Sequence, residues 1–227
     1  MGESGGGKIV LDRKALLSYF IFGTPDTKYD PVWLLEQAIE GGITAYQFRE
    51  KGPGALTGAE RAALARRLRA VARRHGVLFF VDDDPDLALE VEADGVHIGQ
   101  EDEPIESVRQ RVGTKLFIGV STTTLEQARR AEAAGADYIG AGPIFPTQTK
   151  PGKPPVGPEH VARLREAGIA LPIVAIGGIT PENAEGVMRH GADGVAYISA
   201  VARADEPKKA ARAITRAAEA GLGQRGG

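Results

Sequence analysis

Short apolar segments alternate with longer helical segments eight times along this chain, and this alternation constrains the fold more than any other feature. The short segments are rich in Val, Ile and aromatic residues, which is typical of buried strands. We predict strands at residues 17–23, 43–50, 77–83, 95–100, 116–121, 138–143, 172–178 and 194–199. The longer segments carry apolar residues three and four positions apart, which predicts amphipathic helices. We place them at residues 32–40, 59–75, 85–93, 104–112, 124–134, 158–167, 181–190 and 206–220.

Glycine and proline mark the boundaries of these helices. Several helices have a proline at or near the start, where its missing amide hydrogen costs nothing. Most are followed by a glycine, a common end signal: Gly41, Gly76, Gly113, Gly135, Gly168, Gly191 and Gly221. Parallel neighbouring strands need a crossover of this length, so the pattern predicts an α/β protein with a single (β/α)8 TIM barrel. A doubly wound open sheet is the rival architecture, and the regularity of the eight units favours the barrel.

Length and composition fit one compact domain. The chain has 227 residues, 42% of them hydrophobic, enough to bury a sizeable core. We assign residues 11–222 to the barrel and treat the glycine-rich residues 1–10 and 223–227 as flexible tails.

Charge and cysteine content restrict the chemistry and the partners. The chain has no cysteine, which excludes disulfides, thiolate nucleophiles and zinc–cysteine sites. The formal net charge is −2, and the arginines of residues 59–75 fit the solvated face of an outer helix, so we expect no nucleic-acid partner. No apolar run is long enough to span a membrane, and the start lacks the apolar core of a signal peptide. We expect a cytoplasmic protein with small-molecule partners and no membrane association.

Polar residues follow most of the predicted strands. In TIM barrels the carboxyl ends of the strands form the active site. These strand ends deliver Gln47, Arg49, Lys51, Asp82, Asp83, Gln100, Asp102, Ser121, the segment PTQTK (146–150) with Thr147, Thr149 and Lys150, Gly177, Gly178, Ile198 and Ser199. Basic groups, a carboxylate pair and hydroxyls at one mouth indicate a phosphorylated substrate and a divalent cation.

A phosphate site is indicated after strands seven and eight. Gly177 and Gly178 leave backbone amides accessible, and Ser199 follows strand eight. The alternative is that the glycines only form a tight turn.

The three consecutive aspartates divide into different roles. Asp83 and Asp102 lie one strand–helix–strand unit apart, and two carboxylates beside an anionic substrate suit Mg²⁺. The alternative is that each only caps a helix. Asp84, before Pro85, is predicted to be a helix N-cap. We interpret His97, inside an apolar strand, as a packed and hydrogen-bonded histidine rather than a base.

The sequence resembles the thiamine phosphate synthase family. The matching stretches are YQFREKG (46–52), DDPDLALEVEADGVHIGQED (83–102), GVS (119–121), GADYIGAGPIFPTQTK (135–150), IVAIGGI (173–179) and GADGVAYISA (191–200). They cover nearly the whole predicted domain. The resemblance implies that a hydroxymethylpyrimidine diphosphate is joined to a thiazole phosphate, giving thiamine phosphate and diphosphate.

The resemblance also implies roles for individual residues. The pyrimidine diphosphate would contact Gln47, Phe48, Arg49, Glu50, Lys51, Asp82, Ser121 and Lys150, of which Arg49, Lys51, Ser121 and Lys150 would be catalytic. The thiazole phosphate would contact Thr147, Gln148, Thr149, Gly178, Ile198 and Ser199. One Mg²⁺ per subunit would lie on Asp83 and Asp102. The implied mechanism is dissociative, so neither a strong base nor a nucleophile is needed.

Two positions depart from the family pattern. Asp82 stands where the family commonly has Asn, and Thr123 where it usually has His. The related thiazole tautomerase uses a histidine in the segment of Thr123 as its acid or base. The absence of a histidine there favours the synthase. A barrel that only senses thiamine precursors is the third possibility.

Overall fold

The computed structural model describes residues 10–147 and 154–224. Eight parallel strands form a closed barrel in which each strand pairs with the next and β1 pairs with β8. The strands are β1 (Ser18–Phe22), β2 (Ala45–Phe48), β3 (Leu78–Asp82), β4 (Gly95–Ile98), β5 (Phe117–Thr122), β6 (Tyr138–Ala141), β7 (Ile173–Ile176) and β8 (Gly194–Tyr197). The predicted TIM barrel is confirmed, and the open sheet is excluded because β1 and β8 are hydrogen-bonded.

Helices follow the strands in the predicted order. They are α1 (Pro31–Glu40), α2 (Gly58–Arg74), α3 (Pro85–Glu90), α4 (Ile105–Val112), α5 (Leu125–Ala133), α6 (Glu159–Glu166), α7 (Pro181–Arg189), α8 (Ser199–Ala202) and α9 (Pro207–Gly223). The short helix α8 was not predicted, because one turn after a strand has no periodicity to detect. Helix α3 is shorter than predicted, since Glu92 adopts a left-handed φ of 53°. Within the described residues, no helix is both long and apolar enough to cross a membrane.

Gly221 has a different role from the predicted one. Helix α9 continues through it to Gly223, so it does not end the helix. A Cβ on Gly221 would lie 2.5 Å from the carbonyl oxygen of Glu185 and 2.6 Å from Cβ of Met188. The glycine therefore allows α9 to pack closely against α7.

Three aspartates at the amino-terminal end of the barrel repeat one arrangement. Each precedes an even-numbered strand, accepts a hydrogen bond from an amide at the start of the preceding odd-numbered strand, and pairs with an arginine of an outer helix. The sets are Asp94 with Phe79 and Arg69, Asp137 with Ile118 and Arg109, and Asp193 with Ile173 and Arg165. These contacts tie helices to strands at the end opposite the strands' carboxyl termini.

The core has two layers because successive strand residues face opposite sides. An outer layer fills the space between barrel and helices and includes Phe20, Phe22, Tyr46, Phe48 and Phe79. An inner layer fills the barrel and includes Tyr19, Phe80, Tyr138, Val174 and Ala196. The ring centroids of Tyr19 and Tyr138 each lie 5.4 Å from that of Phe80. This aromatic layer closes the barrel beneath its carboxyl-terminal mouth.

Candidate active site

Two adjoining pockets lie at the carboxyl-terminal mouth. The outer pocket, beside the ends of β5 to β8, holds about 720 Å³ of empty space, part of it open to solvent. The deeper pocket reaches into the barrel and is lined by Gln47, Arg49, Asp82 and His97 among others. The residues common to both pockets are Ser121, Gly140, Ile176, Ala196 and Ile198. The arrangement suits two ligands that meet at this shared wall.

Four charged side chains form an ion cluster at the ends of β2 and β3. Nε of Arg49 lies 3.6 Å and Nζ of Lys51 lies 3.4 Å from Oδ2 of Asp82. Lys51 also forms an ion pair with Asp83. The two positive and two negative charges balance, so an anion that binds here competes with the aspartates for Arg49 and Lys51.

Asp83 and Asp102 are both anchored to the end of β4. The amide of Asp83 donates to the carbonyl oxygen of His97 at 2.8 Å, and Oδ2 of Asp102 accepts from the amide of Gly99 at 2.7 Å. Asp83 has a φ of 58°, a conformation that is costly outside glycine and is often found at functional sites. The fold thus brings the two predicted metal ligands to one edge of the mouth.

The donor set of this edge fits one divalent cation of the magnesium type. In the described parts of the chain, no three or more His, Cys, Asp or Glu side chains are arranged to hold a metal. Mg²⁺ commonly takes only one or two carboxylates and completes its coordination with waters and substrate phosphates. Two carboxylates at the edge where Lys51 pairs with Asp83 agree with that preference.

Asp84 is confirmed as a helix cap. Its side chain accepts from the amide of Leu87 at 2.9 Å and from Arg61 at 2.7 Å, and Pro85 opens α3. Both contacts lie on the helix side of the loop. Asp84 therefore has a structural role that its two neighbours do not share.

His97 is confirmed as a packed and hydrogen-bonded residue. It is buried, with Nδ1 2.9 Å from the Tyr138 hydroxyl and Nε2 2.9 Å from Oγ of Ser121. The Tyr138 hydroxyl lies 2.9 Å from that of Tyr19, which accepts from Nε2 of Gln47 at 3.1 Å. Sequence reasoning missed Tyr19 and Tyr138, although the period of two along β1 and β6 directs both into the barrel.

Gly177 and Gly178 pack tightly against the loop after β6. Their φ values are 103° and 64°, and an added Cβ would lie 2.6 Å from Cβ of Pro143 or 2.7 Å from Cβ of Phe145, respectively. The backbone conformation and the close packing therefore favour glycine at both positions. Both glycines also line the outer pocket, so the phosphate interpretation stays open.

The other predicted contacts fall into three groups. Thr147, Ile198 and Ser199 line the outer pocket, and Ser199 begins α8. Gln148, Thr149 and Lys150 lie outside the described residues. Phe48 is fully buried in the outer core layer, and Glu50 accepts from the amides of Thr24 and Leu56, each at 2.8 Å. Phe48 and Glu50 therefore stabilise the packing and the loops around the mouth, and neither lines the two pockets.

Thr123 lies at the wall of the outer pocket. Its hydroxyl donates to the carbonyl oxygen of Gly142 at 3.1 Å, and its amide donates to Oε1 of Gln127 at 2.7 Å. Neither contact provides an acid or base. The position therefore contributes to pocket shape.

Comparisons with known proteins agree on one family. The family model described as thiamine monophosphate synthase matches residues 18–201. A thiamine-phosphate synthase of Geobacillus kaustophilus is 51% identical over 92% of this chain and 94% of its own, and one of Bacillus cereus is 55% identical over 86% and 87%. The structure of a thiamine phosphate pyrophosphorylase from Pyrococcus furiosus superposes with a TM-score of 0.84 at 40% identity, covering 92% of this chain and 98% of that one. The chain therefore belongs to the thiamine monophosphate synthase family.

Proposed function

We propose that this chain is a transferase that joins a hydroxymethylpyrimidine diphosphate to a thiazole phosphate, with release of diphosphate. One observation carries the assignment of substrates to the site. A deep pocket lined by Arg49 and Asp82, the latter 3.4 Å from Nζ of Lys51, and an outer pocket lined by Gly177 and Gly178 share one wall. Two anionic substrates placed in the two pockets would present their reacting ends to each other at Ser121 and Gly140.

The diphosphate is assigned to the side of the ion cluster. Arg49 can bind phosphate oxygens through two parallel hydrogen bonds, while Lys51 acts as a point charge. Ser121, which lines both pockets, would donate a further hydrogen bond to the same group. Lys150 is proposed as a third cation from its sequence position alone.

Asp83 and Asp102 would hold one Mg²⁺ beside the diphosphate. When bound, the ion would supply positive charge to the oxygens of the leaving group. Lys51, paired with Asp83 in this structure, would be freed to contact the diphosphate. Such a site would place the positive charge of Lys51 beside the diphosphate oxygens, on which negative charge develops as the diphosphate leaves.

The reaction would depend on charge neutralisation and alignment rather than on a base. Both nitrogens of His97 are taken up by Tyr138 and Ser121, so this histidine is a poor candidate for proton transfer. A dissociative substitution, in which diphosphate leaves before the thiazole nitrogen attacks, needs no such group. The protein's contribution is to hold both partners in line and exclude water.

The thiazole phosphate is assigned to the outer pocket. Gly177, Gly178 and Ser199 line it. Backbone amides without a nearby Cβ suit close approach by a phosphate. Thr147 lies at the same wall, and Gln148 and Thr149, which follow it in the sequence, are proposed contacts from their sequence positions alone. A cytoplasmic location stays a prediction.

A coupled assay tests the proposal. Both precursors with Mg²⁺ should give thiamine phosphate and diphosphate, whereas omission of either precursor should give neither. Arg49→Gln should reduce turnover strongly, and Arg73→Gln, on the exposed face of α2, should not. Absence of both products with the wild-type protein would refute the assignment. Thiazole isomerisation that persists in EDTA would instead identify a tautomerase.

A further inference from the structure

A row of buried hydrogen bonds connects two proposed substrate contacts across the barrel. It runs from Gln47 through Tyr19, Tyr138 and His97 to Ser121, with successive distances of 3.1, 2.9, 2.9 and 2.9 Å. Gln47, Tyr19, Tyr138 and His97 are buried, and Ser121 is partly exposed at the shared wall of the two pockets. The row therefore has one end that can contact a ligand through a rotatable hydroxyl.

The hydrogen bond at the Gln47 end favours one order of donors and acceptors along the whole row. Nε2 of Gln47 donates to the hydroxyl oxygen of Tyr19. Either hydroxyl of the Tyr19–Tyr138 pair can donate at 2.9 Å, and the hydrogen bond from Gln47 favours the arrangement in which the Tyr19 proton lies on the side of Tyr138. Burial raises the pKa of both phenols above their usual value, so each keeps its single proton. The Tyr138 proton is then directed to Nδ1 of His97.

Histidine passes this direction on to the serine. A neutral imidazole that accepts at Nδ1 carries its proton on Nε2. Nε2 lies 2.9 Å from Oγ of Ser121, so Ser121 accepts a hydrogen bond there. Its own proton is left to point away from His97.

We infer that Tyr19, Tyr138 and His97 are positioning residues that orient the Ser121 hydroxyl as a hydrogen-bond donor toward the bound diphosphate. The inference rests on the proposed function for the identity of the anion. A donor is the group that an anionic oxygen requires. With the row reversed, Ser121 would donate to His97 and present lone pairs to the anion, which would repel it.

The tautomer of His97 tests the direction without any ligand. In the ligand-free wild-type protein, long-range ¹H–¹⁵N NMR should show a protonated Nε2 and an unprotonated Nδ1 for His97. The chain has 4 histidines, and the His97→Asn variant assigns the signal. A protonated Nδ1 with an unprotonated Nε2 would overturn the inference.

Kinetics of Tyr138→Phe test the effect on Ser121. This change keeps the ring and removes the hydroxyl, and we expect kcat/KM for the pyrimidine diphosphate to fall about tenfold. Tyr46→Phe is the matched control, because Tyr46 is also fully buried and donates to the carbonyl oxygen of Phe22, outside the row. We expect it to change kcat/KM by less than about twofold.

A double-mutant cycle separates positioning from general structural damage. In a Ser121→Ala background, Tyr138→Phe should cost less than about twofold, because the group through which it acts is gone. A full tenfold loss in that background would overturn the inference. If the wild-type protein formed no product at all, the proposed function would fail, while the NMR measurement would still decide the direction of the row.

Discussion

Replacing Asp82 by Asn should improve binding of the diphosphate substrate. Oδ2 of Asp82 lies 3.6 Å from Nε of Arg49 and 3.4 Å from Nζ of Lys51, so a diphosphate that binds these cations comes close to the carboxylate. Two like charges 4 Å apart repel by about 4 kcal/mol at an effective dielectric constant near 20, and by about 1 kcal/mol in bulk water. Asn keeps the shape of the side chain and removes the charge.

Because the ion cluster is partly exposed to solvent, we expect the repulsion that Asp82→Asn removes to be near the lower value, about 1 kcal/mol. The Asp82 side chain is 11% exposed, but that of Lys51 is 44% exposed and well screened by solvent. We therefore expect the KM for the pyrimidine diphosphate to fall about tenfold, which corresponds to about 1.4 kcal/mol, with kcat changed less than about threefold. Steady-state diphosphate release at saturating thiazole phosphate and Mg²⁺ measures both constants.

Asp84→Asn is the matched control for this experiment. It removes the same charge from the same loop, yet Asp84 contacts the helix amide of Leu87 and Arg61 rather than the ion cluster. Its KM should stay at the wild-type value. If Asp82→Asn lowered kcat by about a hundredfold or more and raised the Mg²⁺ concentration needed for half-maximal rate, Asp82 would be a metal ligand and the reasoning would be wrong.

Three further predictions concern metal dependence, stability and pH. Asp83→Asn should raise the Mg²⁺ concentration needed for half-maximal diphosphate release by about tenfold or more. EDTA should abolish diphosphate release by the wild-type protein. Activity that is insensitive to both changes would contradict the metal assignment. Asp137→Ala removes a carboxylate that is 2.9 Å from the amide of Ile118 and 2.6 Å from Arg109, so we expect a loss of about 3 kcal/mol in the free energy of unfolding, measured by urea denaturation, with KM unchanged. Burial lowers the pKa of His160, so the unfolded chain binds a proton at this residue more readily than the folded protein does. The free energy of unfolding should therefore fall as the pH drops below about 6.5. The His160→Leu variant should show a weaker pH dependence in thermal melts across pH 5 to 8.

Local sequence determined the elements of the barrel and the residues that follow each strand. Strand and helix periods are properties of neighbouring residues, so the eight strands and the longer helices could be predicted from the order of apolar positions together with glycine and proline. The position of Asp84 directly before Pro85 predicted a helix cap, and the apolar strand around His97 predicted a packed residue. The structure confirms both.

Only the closed barrel decided which of these residues touch. Ser18 of β1 pairs with Val195 of β8, and this closure brings Tyr19 within 2.9 Å of Tyr138, which lies over a hundred residues away in the chain. Contacts of that kind depend on strand register, which local sequence patterns do not determine. The ion pairs of Lys51 with Asp82 and Asp83 depend on side-chain reach across neighbouring strand ends. Sequence therefore determined what stands at the mouth, and the tertiary structure decided which groups are paired there and which face a ligand.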